Sequence, residues 1–132
     1  MSGGWLLGLA ERYEAAAHPH AVGHLRHQAV KTLADWGVTG CADLAELIVS
    51  ELLTNALRYG RTPVLAVDLS INDGWLRIAV DDRNPEPPNL AETDITREDR
   101  RGIVLVAALA DAWGFRAHAD GKTVSAEFNL TP

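Results

Sequence analysis

The sequence predicts an α+β fold, a two-layer sandwich in which helices cover one face of a mixed, mostly antiparallel sheet. Three observations lead to this fold class. Two segments with helical periodicity come early in the chain, β-rich runs flank turn residues 72–74, and a second pair of β-rich runs flanks residues 120–121. With 132 residues, the chain is expected to form one domain over residues 1–132.

The first half of the chain is predicted to hold an edge element and two helices. Residues 1–19 are interpreted as an N-terminal extension or an edge strand, with a rough polar alternation over residues 9–17. Apolar residues spaced by three and four predict helices over residues 20–36 and 42–59. A glycine follows each segment directly and offers a C-terminal stop.

The second half is predicted to be mostly strands. The turn residues Asn72, Asp73 and Gly74 join two β-rich runs and indicate a hairpin. Prolines and charges over residues 83–101 predict a long loop, and loops of that length in compact domains are usually functional lids or disordered. The predicted elements of this half are strands over 63–71 and 75–80, a short helix over 103–109, and a hairpin of 112–119 and 122–130.

The charge balance excludes some classes of partner. The chain has 12 Lys and Arg against 18 Asp and Glu, a net charge of −6. Sequence-independent binding to nucleic acid or to an acidic membrane is therefore not expected, because both depend on neutralising phosphates. No apolar run approaches the roughly 18 residues of a membrane helix. One cysteine and no leader-like N-terminus predict a cytoplasmic location.

The second helix contains a polar anomaly. A stripe counted from Leu44 is expected to be apolar at 44, 47, 48, 51, 52 and 55, but Glu51 and Asn55 interrupt it. The two lie four residues apart, so both point the same way from adjacent turns. Either the polar face of the helix starts one residue early, or a carboxylate and an amide line a site.

Two further segments are candidates for ligand contact. Asp81 and Asp82 end a strand, where a carboxylate can accept a hydrogen bond from a ligand amine; ordinary turn chemistry is the alternative. Strand residues alternate, so Asp81 and Asp82 should face opposite sides of the sheet. Gly102 enters an apolar helix, where backbone amides could hold phosphate; a plain loop-to-helix junction is the alternative.

Together these segments carry a family resemblance. The chain reads ELLTNA at 51–56, VDD at 80–82 with Pro88 six residues on, and RGIVLVAALADAWG at 101–114. In this order and spacing it resembles the GHKL-type ATP-binding domains of gyrase, histidine kinases and mismatch-repair ATPases. It is most similar to the small stand-alone anti-sigma-factor serine/threonine kinases of actinobacteria. The resemblance covers roughly residues 20–130.

The resemblance implies a role for each matched residue. Glu51 would be the general base that activates the attacking hydroxyl, and Asn55 would bind Mg²⁺ and the nucleotide. Asp82 matches the carboxylate that accepts the adenine amine. Gly102 matches the second glycine of the phosphate-binding motif, and Thr123 matches the last nucleotide-contacting segment.

Some matched positions depart from the family pattern. Arg100 replaces the first glycine of the Gly-x-Gly motif, where its side chain could contact phosphate or its bulk could obstruct the loop. Asn84 replaces a glycine of the adenine motif, and Tyr59 replaces a histidine. Arg26 stands where relatives present an arginine to partners; a solvated surface arginine is the alternative.

The resemblance implies a regulatory protein that binds ATP and Mg²⁺. Its partners would be a sigma factor, an anti-sigma antagonist or both, and it would phosphorylate the antagonist on Ser or Thr if it is catalytic. The main alternative is a protein-binding module with the same fold and little or no catalysis. The ATPase half of a histidine kinase is a weaker alternative, and a homodimer is left open.

Overall fold

A computed structural model describes residues 8–84 and 109–130 of the chain. The described part contains two helices and a five-stranded sheet with strand order β1-β2-β3-β5-β4. The elements, in chain order, are β1 (Leu9–Ala16), α1 (Pro19–Asp35), α2 (Ala42–Tyr59), β2 (Val64–Asn72), β3 (Trp75–Asp82), β4 (Ala112–His118) and β5 (Gly121–Asn129). The predicted α+β class is confirmed, and each of these elements was predicted to within about three residues of its ends.

All strand pairs in the described residues are antiparallel, whereas the sequence suggested a mixed sheet. The reason lies in the connection from β3 to β4. These two strands run in the same direction, but β5 folds back from β4 and inserts between them. A parallel contact is thereby avoided, and β3 and β5 become neighbours although residues 83–120 separate them in the chain.

The β2–β3 hairpin follows directly from its turn residues. Asn72 pairs with Trp75, so the loop consists of Asp73 and Gly74 alone. Both have positive φ, 52° and 80°, as a type I′ turn requires. This turn fixes which residues of β2 and β3 share a face, because a slip of one residue would move every side chain to the other side.

The core lies between the helices and one face of the sheet, here called the helix face. On this face β3 contributes Leu76, Ile78 and Val80, and the same alternation of side chains places Asp82 there as well. Strand β5 contributes Val124, Ala126 and Phe128, and the alternation along this strand starts with Lys122 on the same face. The apolar stripes of two adjacent strands therefore end on opposite charges. The other side of the sheet is here called the open face.

The first strand is the edge strand that the N-terminal alternation predicted. It pairs with β2 along its whole length, from Leu9 opposite Ile71 to Ala16 opposite Val64. A hydrogen bond between the Tyr13 hydroxyl and Thr32 connects it to α1. The loop predicted over 83–101 and the helix predicted over 103–109 fall almost wholly outside the described residues. Among the helices that are described, none has the length and apolar character needed to span a membrane.

Candidate functional site

Helix α2 faces the sheet along a stripe that is offset by one residue from the predicted one. Leu44 and Leu47, expected in the core, are 38% and 37% exposed. The buried side chains are Ala45, Ile48, Val49, Leu52, Leu53 and Ala56. The stripe counted from Leu44 was therefore wrong in phase.

This offset changes the interpretation of Glu51 and Asn55. They do not replace core residues; both are half-buried, at the border of the buried stripe. They project from adjacent turns on the same side of α2 as Leu47. A carboxylate and an amide oxygen are the kinds of ligand that suit Mg²⁺, which prefers oxygen ligands. Their roles as base and metal ligand stay predictions.

The two aspartates at the end of β3 face opposite sides of the sheet, as strand alternation predicts. Asp81 lies on the open face, where it accepts a hydrogen bond from Thr123 and lies 3.5 Å from Arg12. Asp82 lies on the helix face and is 5% exposed. Of the two, Asp82 is thus the carboxylate enclosed by the fold, at the sheet end next to α2.

Lys122 is the partner of Asp82. The two residues are directly opposite each other in the β3–β5 register, and each side chain is 4% exposed. The Lys122 ammonium lies 3.1 Å from Oδ1 and 2.9 Å from Oδ2 of Asp82. It also donates to the Asn84 carbonyl at 3.0 Å. The pair forms a buried, bidentate contact, in which both charges have hydrogen-bond partners.

Asn84 ties the Asp82 segment to the end of α2. Its backbone N–H donates to Asp82 Oδ1 at 2.8 Å, the side chain-to-backbone bond of an Asx turn. Its side-chain amide donates to the Tyr59 carbonyl at 3.2 Å. The Arg83 N–H donates to the Gly60 carbonyl at 2.8 Å. These bonds hold the C-terminal end of α2 and the end of β3 together.

Two glycines allow this close approach. A β-carbon on Gly60 would lie 2.4 Å from the Ala56 carbonyl oxygen and 2.5 Å from the Asp82 β-carbon. A β-carbon on Gly121 would lie 1.9 Å from the Asp82 carbonyl oxygen, and the φ of Gly121 is +152°. Larger residues would push α2 or β5 away from Asp82. Asp82 is therefore packed closely by Gly60 on one side and by Gly121 on the other.

The remaining predicted site residues lie in different places. Thr123 bonds to Asp81 on the open face, so it is not beside Asp82 in this structure, and its role in binding stays a prediction. Arg26 projects from α1, is half-buried and donates to the Ser50 hydroxyl of α2 at 3.3 Å. Arg100 and Gly102 lie outside the described residues.

Lys122 was not among the site residues predicted from the sequence. A detectable signal exists in β5, where Val124, Ala126 and Phe128 alternate as an inward apolar stripe. Extending that alternation backwards places Lys122 inward, which is unusual for a lysine. Its pairing with Asp82 was not predictable in the same way, because it depends on the insertion of β5 next to β3.

The open face carries a separate charge network around Arg12. This side chain contacts Glu14 and Asp68 and approaches Asp81. The hydrogen bond with Glu14 raises the pKa of the Arg12 guanidinium, while partial burial raises the pKa of the Asp68 carboxyl. The network borders a depression of about 280 Å³ that also includes His118. These charges are substantially exposed, so each pair contributes little to stability.

The geometry partly fits an adenine nucleotide with Mg²⁺. The Asp82 carboxylate has the acceptor chemistry for an exocyclic amine, and Gly60 and Gly121 pack closely against the β-carbon and the main chain of the same residue. Glu51 and Asn55 supply oxygen atoms from the neighbouring helix. One feature does not fit: Lys122 already binds both oxygens of Asp82, the carboxylate that an adenine amine would have to contact.

A family model described as histidine kinase-like ATPase domain matches residues 15–128. A comparison with curated proteins gave no match.

Solved structures share the fold at low sequence identity. The RsbU and RsbW domains of Rv1364c from Mycobacterium tuberculosis match with a TM-score of 0.70 and 20% identity, covering 92% of this chain and 32% of that one. The histidine kinase domain of the blue-light activated histidine kinase from Erythrobacter litoralis EL346 matches with a TM-score of 0.53 and 21% identity, covering 83% and 61%. The chain thus spans about a third and about three fifths of their lengths.

Proposed function

Because the chain belongs to the histidine kinase-like ATPase domain family, we propose that it binds ATP with Mg²⁺ and acts as a regulatory protein of the anti-sigma-factor type. The observation that carries the proposal is the buried Asp82 carboxylate, which the fold holds at the end of β3 beside the C-terminal end of α2. Glu51 and Asn55 lie on that same helix. The proposed location is the cytoplasm.

Each residue has a proposed task. Asp82 accepts a hydrogen bond from the adenine amine, which selects adenine over bases that lack a donor at that position. Asn55 provides a side-chain oxygen for Mg²⁺, which neutralises phosphate charge when bound. Gly102 and Arg100 are proposed to contact the phosphates of the nucleotide, and Asn84 is proposed to lie at its adenine end. Thr123 is proposed to contact the nucleotide from the final strand, β5.

The proposed reaction is phosphoryl transfer to a Ser or Thr hydroxyl of an anti-sigma antagonist. Glu51 takes the hydroxyl proton as the oxygen attacks the γ-phosphorus of ATP. The bond between that phosphorus and the β,γ-bridging oxygen breaks, and ADP leaves. The products are a phosphorylated antagonist and ADP. Arg26, on the neighbouring helix α1, is proposed to contact the sigma factor or the antagonist.

A binding module without strong catalysis is the second candidate. The observation that favours it is Lys122, which engages the carboxylate that would recognise adenine. In that case the sheet and helices would hold a sigma factor or antagonist without phosphoryl transfer.

Two measurements separate the candidates. Isothermal titration with Mg-ATP tests nucleotide binding, and radiolabelled ATP with an antagonist protein tests transfer. Saturable binding together with phosphoserine or phosphothreonine formation supports the kinase. Binding without transfer to any antagonist protein supports the module. Absence of any nucleotide binding would contradict the ATP-dependent role altogether.

A further inference from the structure

We propose that Lys122 sets the nucleotide affinity of this site, because it holds the carboxylate that would otherwise accept the adenine amine. This inference rests on the proposed function, in which Asp82 recognises adenine. Lys122 competes with the base for the carboxylate. A ligand amine can form its full hydrogen bond with Asp82 only when the Lys122 ammonium releases one of its contacts with the carboxylate.

The hydrogen-bond capacity of the ammonium supports this inference. A lysine has three N–H donors, and Lys122 has three acceptors in reach: Asp82 Oδ1, Asp82 Oδ2 and the Asn84 carbonyl. No donor is left over to read a base edge. Lys122 therefore cannot add a contact to the adenine ring without releasing one that it makes with the protein.

The number of hydrogen bonds that the Asp82 carboxylate can accept leads to the same conclusion. Asp82 Oδ1 accepts from both Lys122 and the Asn84 N–H, and Oδ2 accepts from Lys122. A carboxylate offers about four lone-pair directions, so three are used. The remaining lone pair is on Oδ2, next to the Lys122 side chain, which is 4% exposed. An incoming amine thus meets a carboxylate that is already largely satisfied.

Burial makes this competition strong. Both side chains are 4% exposed, so water does not screen their attraction as it does for a surface pair. A neutral adenine amine would replace a charged donor at Asp82 and leave the ammonium with fewer partners. The exchange disfavours binding at the base end of the nucleotide, whatever contacts the phosphates make.

The sequence offers a matched pair of variants to test this. The chain has two lysines, and Lys31 is exposed on α1 while Lys122 is buried. Lys122→Met removes the ammonium and keeps an unbranched side chain, and Lys31→Met makes the same chemical change at a remote surface. Isothermal titration of each with AMP and with Mg-ATP measures the affinity change at the base end.

The expected result is a gain of about tenfold or more in the affinity of Lys122→Met, equal for AMP and Mg-ATP, with Lys31→Met unchanged. Equal gains are expected because the competition acts on the base. Weaker or unchanged binding by Lys122→Met, with wild-type binding intact, would overturn the inference and leave the proposed function standing. Absence of binding in both folded proteins would instead contradict the proposed function.

A second measurement covers the case in which Lys122→Met fails to fold, since that variant leaves Asp82 without its partner. Wild-type protein labelled with ¹³C at the lysine ε-carbons gives one signal for each lysine. Saturating Mg-ATP is expected to move the Lys122 signal and leave the Lys31 signal in place. Saturation with neither signal moving would show that the nucleotide binds without disturbing Lys122, and would overturn the inference.

Discussion

Gly60 lies so close to Asp82 that a β-carbon on Gly60 would be 2.5 Å from the Asp82 β-carbon. The contact joins the end of α2 to the end of β3, the two elements that carry most of the proposed site. Because Gly60 has an ordinary helical φ of −83°, the requirement for glycine here is one of space and not of backbone conformation.

Replacing Gly60 with alanine should therefore move α2 away from β3. We expect Gly60→Ala to reduce the free energy of unfolding by about 1–3 kcal/mol, the usual effect of overpacking, and to weaken nucleotide binding. Urea unfolding measures the first effect. Gly40→Ala is the control, since nothing lies within 4 Å of a β-carbon there. Equal stabilities of the two variants would contradict the packing account.

Glu51 is expected to act on the reacting hydroxyl and not on the bound nucleotide. Glu51→Gln should keep the affinity for Mg-ATP within a few-fold and stop phosphoryl transfer to the antagonist, because the amide cannot take the proton. Transfer is followed with radiolabelled ATP. Glu46→Gln, an exposed position on the same helix, serves as the control. Undiminished transfer by Glu51→Gln would exclude Glu51 as the base.

Asn55 is expected to act through Mg²⁺. Asn55→Ala should weaken ATP binding in the presence of Mg²⁺ by about tenfold or more, and should have little effect when the metal is removed with EDTA. Isothermal titration under both conditions measures the difference. An equal loss with and without Mg²⁺ would indicate direct contact with the nucleotide instead.

The Asp82–Lys122 pair should be strongly coupled in stability. Removing one charge leaves the other buried and unpaired, so Asp82→Asn and Lys122→Met should each cost about 3–5 kcal/mol. The double variant should lose clearly less than the sum of the two losses, because it retains no unpaired charge. Urea unfolding of all four proteins completes the cycle. Additive losses would show that the pair makes no net interaction.

Local chemistry explains which parts of the fold the sequence predicts. The turn Asn72-Asp73-Gly74 specifies its own geometry, since the two positive φ angles fall on residues that tolerate them. The split between Asp81 and Asp82 follows from strand alternation alone. Both need information from neighbouring residues only, and the structure agrees with both.

The remaining errors come from contacts between distant segments. The stripe of α2 has two readings with the same periodicity, one through Leu44 and one through Ala45, and packing against the sheet decides for Ala45. The pairing of Lys122 with Asp82 was missed for a related reason. This pairing depends on β5 inserting beside β3, a long-range arrangement that periodicity does not encode.

The proposed function depends above all on recognition of the nucleotide's adenine by Asp82. It is tested most directly by titrating Mg-ATP into the wild type, Lys122→Met and the double variant Asp82→Asn/Lys122→Met, each first shown to be folded by circular dichroism. Saturable binding is expected for the first two proteins, tighter for Lys122→Met, and loss of binding is expected in the double variant. Binding by the double variant as tight as that of Lys122→Met would contradict recognition of adenine by Asp82.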